Sequence, residues 1–134
     1  MGRKGEFMST TSLFSTVPKD YLSFYDGKAP QYNRIADFLH FNKEDVSRAT
    51  GFSKNSVRYD DDRMSPELKD RIREWAVLYN IVAGFFEGDS EKTYLWFTTL
   101  NPLLGNVAPR DMIRFGRYKK LLKFVMNALT ENKG

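Results

Sequence analysis

Apolar side chains recur at helical spacing along most of the chain after residue 30. Residues 31–41 carry an apolar stripe at spacings of three and four, and residues 43–50 (KEDVSRAT) continue as a second short helix that Gly51 ends. Ser53 is a suitable N-cap for a third short helix over the sequence SKNSVRYD. No stretch alternates with a period of two, so the pattern predicts an all-α protein.

The longest helix is predicted to begin at Ser65, where a cap residue precedes Pro66 and an acidic first turn. Its apolar positions recur as far as Gly88, which is expected to end it. A punctuated segment, NPLLGN, then interrupts the helical pattern. Three further helices are expected, at 90–98, 109–116 and 117–131.

These elements divide the chain into three segments. Residues 1–30 lack helical periodicity and are expected to form a flexible N-terminal arm, with residues 1–7 (MGRKGEF) an expression remnant. The aromatic and aliphatic residues that can pin this arm onto a neighbour are Phe14, Tyr21, Leu22, Phe24 and Tyr25. Residues 31–64 are expected to form an N-terminal helix-turn-helix bundle. The long helix joins this bundle to a small helical C-terminal domain within residues 65–134.

Composition narrows the classes of function. A chain of 134 residues with 41% hydrophobic residues can bury the core of one domain or of two very small ones. The absence of cysteine excludes disulfides, thiolate metal sites and a cysteine nucleophile, and it suits a cytoplasmic protein. No apolar run approaches the roughly 20 residues of a membrane span. Residues 108–134 hold 7 basic and 2 acidic side chains, which favours an acidic partner, either protein or nucleic acid.

Residue patterns typical of enzymes are missing from the sequence. There is no phosphate-cradling glycine loop, no metal-ligand spacing and no nucleophile with a neighbouring base. Glu67 and Asp70 stand in hydrophilic contexts typical of helix caps. The lone histidine, His40, is expected to be a partly buried structural residue. The sequence therefore predicts a protein that is not an enzyme and needs neither cofactor nor metal.

The stretch KEDVSRATGFSKNSVRYD has the layout of a helix-turn-helix. Gly51 suits the tight turn, and Val46, Phe52 and Val57 fall where two helices must pack. The residues that the second helix would offer to DNA phosphates and base edges are Ser53, Lys54, Asn55, Ser56 and Arg58. The same residues also suit a solvated cap, and the acidic run 60–62 would repel the DNA backbone.

The segment NPLLGNVAPRDMIRFG combines turn residues with apolar residues. Pro102 removes a backbone donor and directs the preceding residue into an extended conformation, and Gly105 permits a sharp reversal. The apolar residues Leu103, Leu104 and Val107 either tuck under this reversal or form an exposed ledge. The arginines that repeat at spacings of four and three are Arg110, Arg114 and Arg117. Arginines beside exposed apolar residues are typical of protein interfaces, although a solvated helix face remains the alternative.

A wider pattern around this segment resembles the toxin-binding domain of the Xre/MbcA/ParS antitoxin family. The matching residues, in order, are Trp96, Phe97, Asn101, Pro102, Leu104, Gly105, Pro109, Asp111, Ile113 and Gly116. With the Xre-like helix-turn-helix upstream, the resemblance covers about residues 31–130. The chain departs from the pattern at Leu100, where proline is common, and at Ala108, where a capping serine or threonine is common.

The resemblance implies an antitoxin of a bacterial type II toxin–antitoxin system. It implies that residues 65–134 form a toxin-binding and dimerisation domain that covers the active site of the toxin, most often a RES-domain enzyme that consumes NAD or transfers ADP-ribose. A homodimer would present two helix-turn-helix units to operator DNA and repress its own operon. The residues expected to bind the toxin are Trp96, Asn101, Pro102, Leu103, Leu104, Gly105, Arg110, Arg114 and Arg117.

Two alternatives stay open. One is a stand-alone transcriptional regulator whose C-terminal domain only dimerises, and the other is a toxin-binding module without operator contact. Trp96 individually fits a core position as well as an interface position.

Overall fold

The computed structural model describes residues 19–60 and 62–133. This part of the chain folds into six α-helices and one short hairpin, so the all-α prediction is confirmed. The hairpin strands are β1 (Tyr25–Asp26) and β2 (Ala29–Pro30). The helices are α1 (Tyr32–Phe38), α2 (Lys43–Thr50), α3 (Pro66–Phe85), α4 (Ser90–Thr98), α5 (Pro109–Arg114) and α6 (Tyr118–Lys133). Two 3₁₀ turns lie at Lys54–Ser56 and Pro102–Leu104.

The long helix α3 has the boundary chemistry that its sequence predicts. The Ser65 hydroxyl accepts a hydrogen bond from the backbone N–H of Leu68 at 3.2 Å, and Pro66 occupies the first turn. At the other end the chain reverses at Gly88, whose φ is +85° and whose N–H donates to the carbonyl of Ala83 at 2.8 Å. The helix itself ends at Phe85, three residues before that glycine.

Helix α3 lies at the centre of one hydrophobic core. Its side chains Leu68, Ile72, Leu78 and Tyr79 are fully buried. The buried residues packed around them come from the hairpin and from the other helices, and include Phe24, Ile35, Val46, Phe97, Ile113 and Leu121. All three segments that the sequence predicts thus contribute to one core, which is the largest source of stability in a chain of this size.

The prediction of a flexible arm is wrong for residues 19–30. The Asp20 carboxylate accepts hydrogen bonds from the backbone N–H groups of Phe24 and Tyr25, both at 2.9 Å, and from the Asn80 side chain at 3.1 Å. The Asn80 amide oxygen accepts in turn from the N–H of Leu22 at 3.1 Å. The half-buried Asp20 and the buried Asn80 thereby fasten the segment to α3, and their hydrogen bonds satisfy polar groups that burial would otherwise penalise. Phe14 and residues 1–7 lie outside the described residues.

Two further observations bear on the sequence predictions. His40 is exposed rather than partly buried, and its imidazole lies edge-on to the Tyr94 ring at a centroid distance of 5.4 Å. Within residues 19–60 and 62–133, no helix is both long enough and apolar enough to cross a membrane.

Candidate functional site

Helix α2 and the turn after it have well-defined boundaries within the segment predicted to form a helix-turn-helix. Asn42 and Asp45 form a reciprocal capping box, with hydrogen bonds of 2.8 and 3.1 Å between side chain and backbone. Gly51 adopts the left-handed conformation at φ +83°, which a residue with a Cβ reaches only with strain. The Ser47 hydroxyl donates to the carbonyl of Phe52 and holds the turn closed.

The second helix of the predicted motif is reduced to one 3₁₀ turn, Lys54–Ser56. Ser53 does not cap it, because its hydroxyl pairs with that of Ser56 at 2.8 Å instead. Val57 is fully buried and extended, so the chain leaves the turn at that point to enter the core. The prediction of a helix over SKNSVRYD is therefore wrong, and the surface available for reading a major groove is shorter than a recognition helix provides.

The five candidate DNA-binding residues, Ser53, Lys54, Asn55, Ser56 and Arg58, are all exposed. Three of them, Lys54, Asn55 and Arg58, line a recess of about 620 Å³ together with Lys43, Tyr59 and Asp60. Lys54 Nζ lies 3.3 Å from the carboxylate of Glu44, which reduces the charge that it offers to a phosphate. The sequence analysis did not single out Lys43, although its position at the start of α2 was the available signal.

The NPLLG segment is a closed turn with fixed geometry. The Asn101 side chain accepts a hydrogen bond from the N–H of Leu103 at 2.9 Å, and its backbone N–H donates to the carbonyl of Val107 at 3.2 Å. Asn101 is extended, at φ −115° and ψ 116°, as expected before a proline. Gly105 follows at φ +75°, where it makes the reversal possible.

The apolar residues around this turn fall into two groups, one packed against the core and one exposed. Leu104 and Val107 pack against the core, whereas Leu103 keeps 79% of its surface exposed. Leu100, which precedes the turn, is 63% exposed. Leu104 and Val107 are therefore tucked under the reversal, whereas Leu100 and Leu103 form an exposed ledge.

Leu103 borders a surface groove of about 320 Å³, which we call the apolar groove. The side chains that line it are Val82, Phe85, Phe86, Trp96, Asn101, Leu103, Phe124, Val125 and Ala128. Trp96 is half-buried, with its indole edge-to-face on Phe97 at 5.0 Å, so it serves core and groove together. Sequence reasoning missed Phe85, Phe86 and Phe124, because their position on amphipathic helices also fits an ordinary core face.

Arg110 and Arg114 are half-buried, and their guanidinium groups are engaged by other residues of the same chain. Arg110 Nε donates to the backbone carbonyl of Leu39 at 2.6 Å, and its guanidinium lies 5.0 Å from the centre of the Phe41 ring. Arg114 lies 3.8 Å from the carboxylate of Asp45 and hydrogen-bonds Asp111 at 3.1 Å. Both arginines thus hold α5 against α1 and α2.

Arg117 is separated from the other two arginines because Gly116, at φ +81°, ends α5 and starts a new chain direction. Its side chain is exposed and lines a second hollow of about 420 Å³, which we call the basic recess. The other residues of this recess are Ala49, Thr50, Arg71, Glu74, Trp75, Gly116, Tyr118, Lys119 and Lys120. The structure therefore does not form the single arginine face that the sequence spacing suggests.

The ionisable side chains of the basic recess are four cations, the carboxylate of Glu74 and the phenol of Tyr118. Burial raises the pKa of the Tyr118 phenol far above its usual range, and the nearby Glu74 raises it further. This phenol donates a 2.7 Å hydrogen bond to the backbone carbonyl of Glu74, so it serves as a structural donor. Among the residues that the structure describes, no three His, Cys, Asp or Glu side chains are placed to hold a metal ion. Comparison of the chain with models of protein families, with curated proteins and with solved structures gave no match.

Proposed function

We propose that this protein is an antitoxin that binds its cognate toxin directly and covers the toxin's active site without doing chemistry itself. The observation that supports this proposal best is Leu103, a leucine 79% exposed on a closed turn at the border of the apolar groove. An isolated exposed leucine is common on soluble proteins. A fixed leucine beside a groove lined mainly by phenylalanine, valine and tryptophan is typical of a protein-binding surface.

The energetics of this surface favour a protein partner. Burying one leucine side chain stabilises a complex by about 1.5–3 kcal/mol. Because the hydrogen bonds of Asn101 hold the turn in one conformation, little conformational entropy is lost when Leu103 is covered. The turn therefore has the character of a preformed binding element.

The resemblance to the Xre/MbcA/ParS family supports the same proposal from the sequence. Asn101, Pro102 and Gly105 of the family pattern form the turn that exposes Leu103. By that resemblance, the partner is a RES-domain toxin that consumes NAD or transfers ADP-ribose, and the antitoxin acts as a homodimer. Neutralisation is steric, because the bound antitoxin keeps the dinucleotide out of the cleft.

Co-expression tests this proposal. Cells that express the toxin-like reading frame adjacent to this gene should grow when this protein is present, and should stop growing when it carries Leu103→Asp. The matched control is Leu95→Asp, which places the same charge at another exposed leucine that does not line the groove. Growth arrest that persists with the unaltered protein would refute the antitoxin proposal.

A second candidate function is repression through operator DNA. It is favoured by the exposed cations Lys43, Lys54 and Arg58 around one recess beside α2. We expect Lys54→Ala combined with Arg58→Ala to abolish retardation of the upstream DNA fragment in a gel-shift assay. Specific DNA binding by the unaltered protein without any neutralisation of the toxin would favour a stand-alone regulator. Retardation that survives the double substitution would place the DNA contacts elsewhere.

A further inference from the structure

Two hollows follow one another between the long helix α3 and the last helix α6. The apolar groove is lined by Val82 and Phe85 of α3, by Phe86 directly after it and by residues within 124–128 of α6, together with Trp96, Asn101 and Leu103. The basic recess is lined by residues within 71–75 of α3 and 117–120 at the start of α6. Positions eleven apart on an α-helix differ by only about 20°, so Arg71 and Val82 share one face of α3. The two hollows therefore lie on one strip, which we call the α3/α6 seam.

The basic end of this seam carries charge without a partner. The recess is lined by four cationic side chains, Arg71, Arg117, Lys119 and Lys120, and by the carboxylate of Glu74. That carboxylate is held by Arg71 at 3.0 Å. Among the described residues, Arg117, Lys119 and Lys120 form no ion pair with a carboxylate. A ligand with negative charge would thus meet three cations that are free to bind it.

We propose that the α3/α6 seam docks a segment of the partner protein that carries apolar side chains at one end and carboxylates at the other. This inference rests on the proposed function, because Leu103 borders the same groove. The apolar end of the segment fills the groove between Phe85 and Phe124, and the acidic end reaches Lys119 and Lys120. Ala128 lies eight positions after Lys120 on α6, a rise of about 12 Å, and Phe85 lies fourteen positions after Arg71 on α3, a rise of about 21 Å. About four to six extended residues span such a seam.

Charge complementarity selects this occupant over two others. A second copy docked through its own seam would bring the same cations, and its one carboxylate in the recess, Glu74, is already held by Arg71, which leaves the cations unpaired at the interface. Duplex DNA would supply phosphates for the recess, but its bases are stacked inside the helix and would leave the apolar groove unfilled. Only a segment that is both apolar and acidic satisfies both ends.

The experiment uses the full chain and two synthetic peptides of equal length. The first peptide has Leu and Phe followed by four Glu, and the second has Lys at each Glu position. Nuclear magnetic resonance of the ¹⁵N-labelled protein should show shifts for amides within 82–86 and 117–128 with the acidic peptide, and the affinity should fall at high salt. Equal binding of the lysine peptide, or shifts confined to other surfaces, would overturn the proposal.

Matched charge-reversal variants test which cations bind the acidic end of the peptide. Lys119→Glu with Lys120→Glu should weaken the acidic peptide about tenfold, because two attractions become repulsions. The control Lys28→Glu with Lys92→Glu changes the net charge equally at exposed positions outside the seam, and it should leave the affinity within about twofold. Equal losses in both variants, or displacement of the peptide by duplex DNA from the same amides, would count against a peptide site.

The outcome also separates this inference from the proposed function. If the Lys119 and Lys120 double variant loses the peptide but still neutralises the toxin, the seam inference fails and the antitoxin proposal stands. If the unaltered protein binds the acidic peptide at the seam but never neutralises the toxin, the seam inference stands and the antitoxin proposal fails.

Discussion

Arg110 Nε donates a 2.6 Å hydrogen bond to the backbone carbonyl of Leu39, a residue 71 positions earlier in the chain. The same guanidinium donates to the carbonyl of His40 at 3.3 Å and lies 4.0 Å from the carboxylate of Asp45. One side chain of α5 therefore donates to backbone carbonyls at the carboxyl-terminal end of α1 and contacts a carboxylate in the first turn of α2. This arginine joins helices α1 and α2 to the segment that carries the NPLLG turn.

We expect Arg110→Ala to lower the free energy of unfolding by about 2–3 kcal/mol, because it leaves the carbonyls of Leu39 and His40 without this donor and removes one of the cations beside Asp45. Urea denaturation followed by circular dichroism measures the change. The control is Arg117→Ala, which removes an exposed arginine without an ion pair among the described residues and should change stability by less than about 0.5 kcal/mol. Equal effects would mean that Arg110 is not a structural clamp.

Removing the hydroxyl of Tyr79 and removing that of Tyr118 should change the free energy of unfolding differently. Both rings belong to the core region, but the buried Tyr79 hydroxyl has no hydrogen-bond partner among the residues that the structure describes, whereas that of Tyr118 donates to the carbonyl of Glu74. Tyr79→Phe should leave stability unchanged or raise it by about 1 kcal/mol, because an unsatisfied polar group is removed. Tyr118→Phe should lower it by about 1 kcal/mol. Chemical denaturation measures the free energy of unfolding of both variants. A larger loss in Tyr79→Phe than in Tyr118→Phe would contradict this prediction.

Stability should fall at alkaline pH. Burial raises the pKa of Tyr79 and of Tyr118 above the ordinary value of 10.0, and it also raises the pKa of Tyr25 and Tyr59. Above about pH 10 the unfolded chain releases these phenolic protons while the folded chain retains them, so the free energy of unfolding decreases as pH rises. Below that pH the contribution is fully present.

Denaturation curves at pH 8, 10 and 11 test this dependence. The loss of stability with pH should be smaller in Tyr118→Phe than in the unaltered protein, since one of the titrating phenols is gone. An equal loss in both proteins would mean that this phenol ionises as easily in the folded chain as in the unfolded one.

Leu103 should matter for binding and not for folding. Leu103→Asp should change the free energy of unfolding by less than about 0.5 kcal/mol, because the side chain is exposed. The same change should weaken the complex with the toxin by about tenfold or more, since a charge would be buried against the apolar groove. Thermal melting and calorimetric titration against the purified toxin measure the two effects. A large loss of stability would show that Leu103 supports the fold.

Local chemistry in the sequence was enough to place most helices. Ser65 caps α3, and Asp89 accepts a hydrogen bond from the N–H of Lys92 at 3.0 Å and caps α4. Pro109 starts α5 as expected. These signals act within three or four residues, so the sequence displays them directly.

The same local reasoning failed where distant partners compete with helix formation. Val57 leaves the predicted recognition helix because the core takes its side chain, and only a turn remains. The segment around Asp20 folds into the hairpin because Asn80, sixty positions away, completes its hydrogen bonds. Neither segment contains a local sequence pattern that identifies its distant partner.

Three features follow from the sequence alone: the chain is helical, its long helix begins where predicted, and a reversal follows Asn101. They can be read locally because caps, prolines and glycines act on their immediate neighbours. The tertiary structure decided which residues of that reversal face outward and which arginines are available to a partner. Leu104 packs inward while Leu103 stays exposed, and Arg110 turns to Leu39 while Arg117 remains free of ion pairs among the described residues. Exposure and pairing depend on the packing of elements far apart in the chain, and spacing along one helix does not encode that packing.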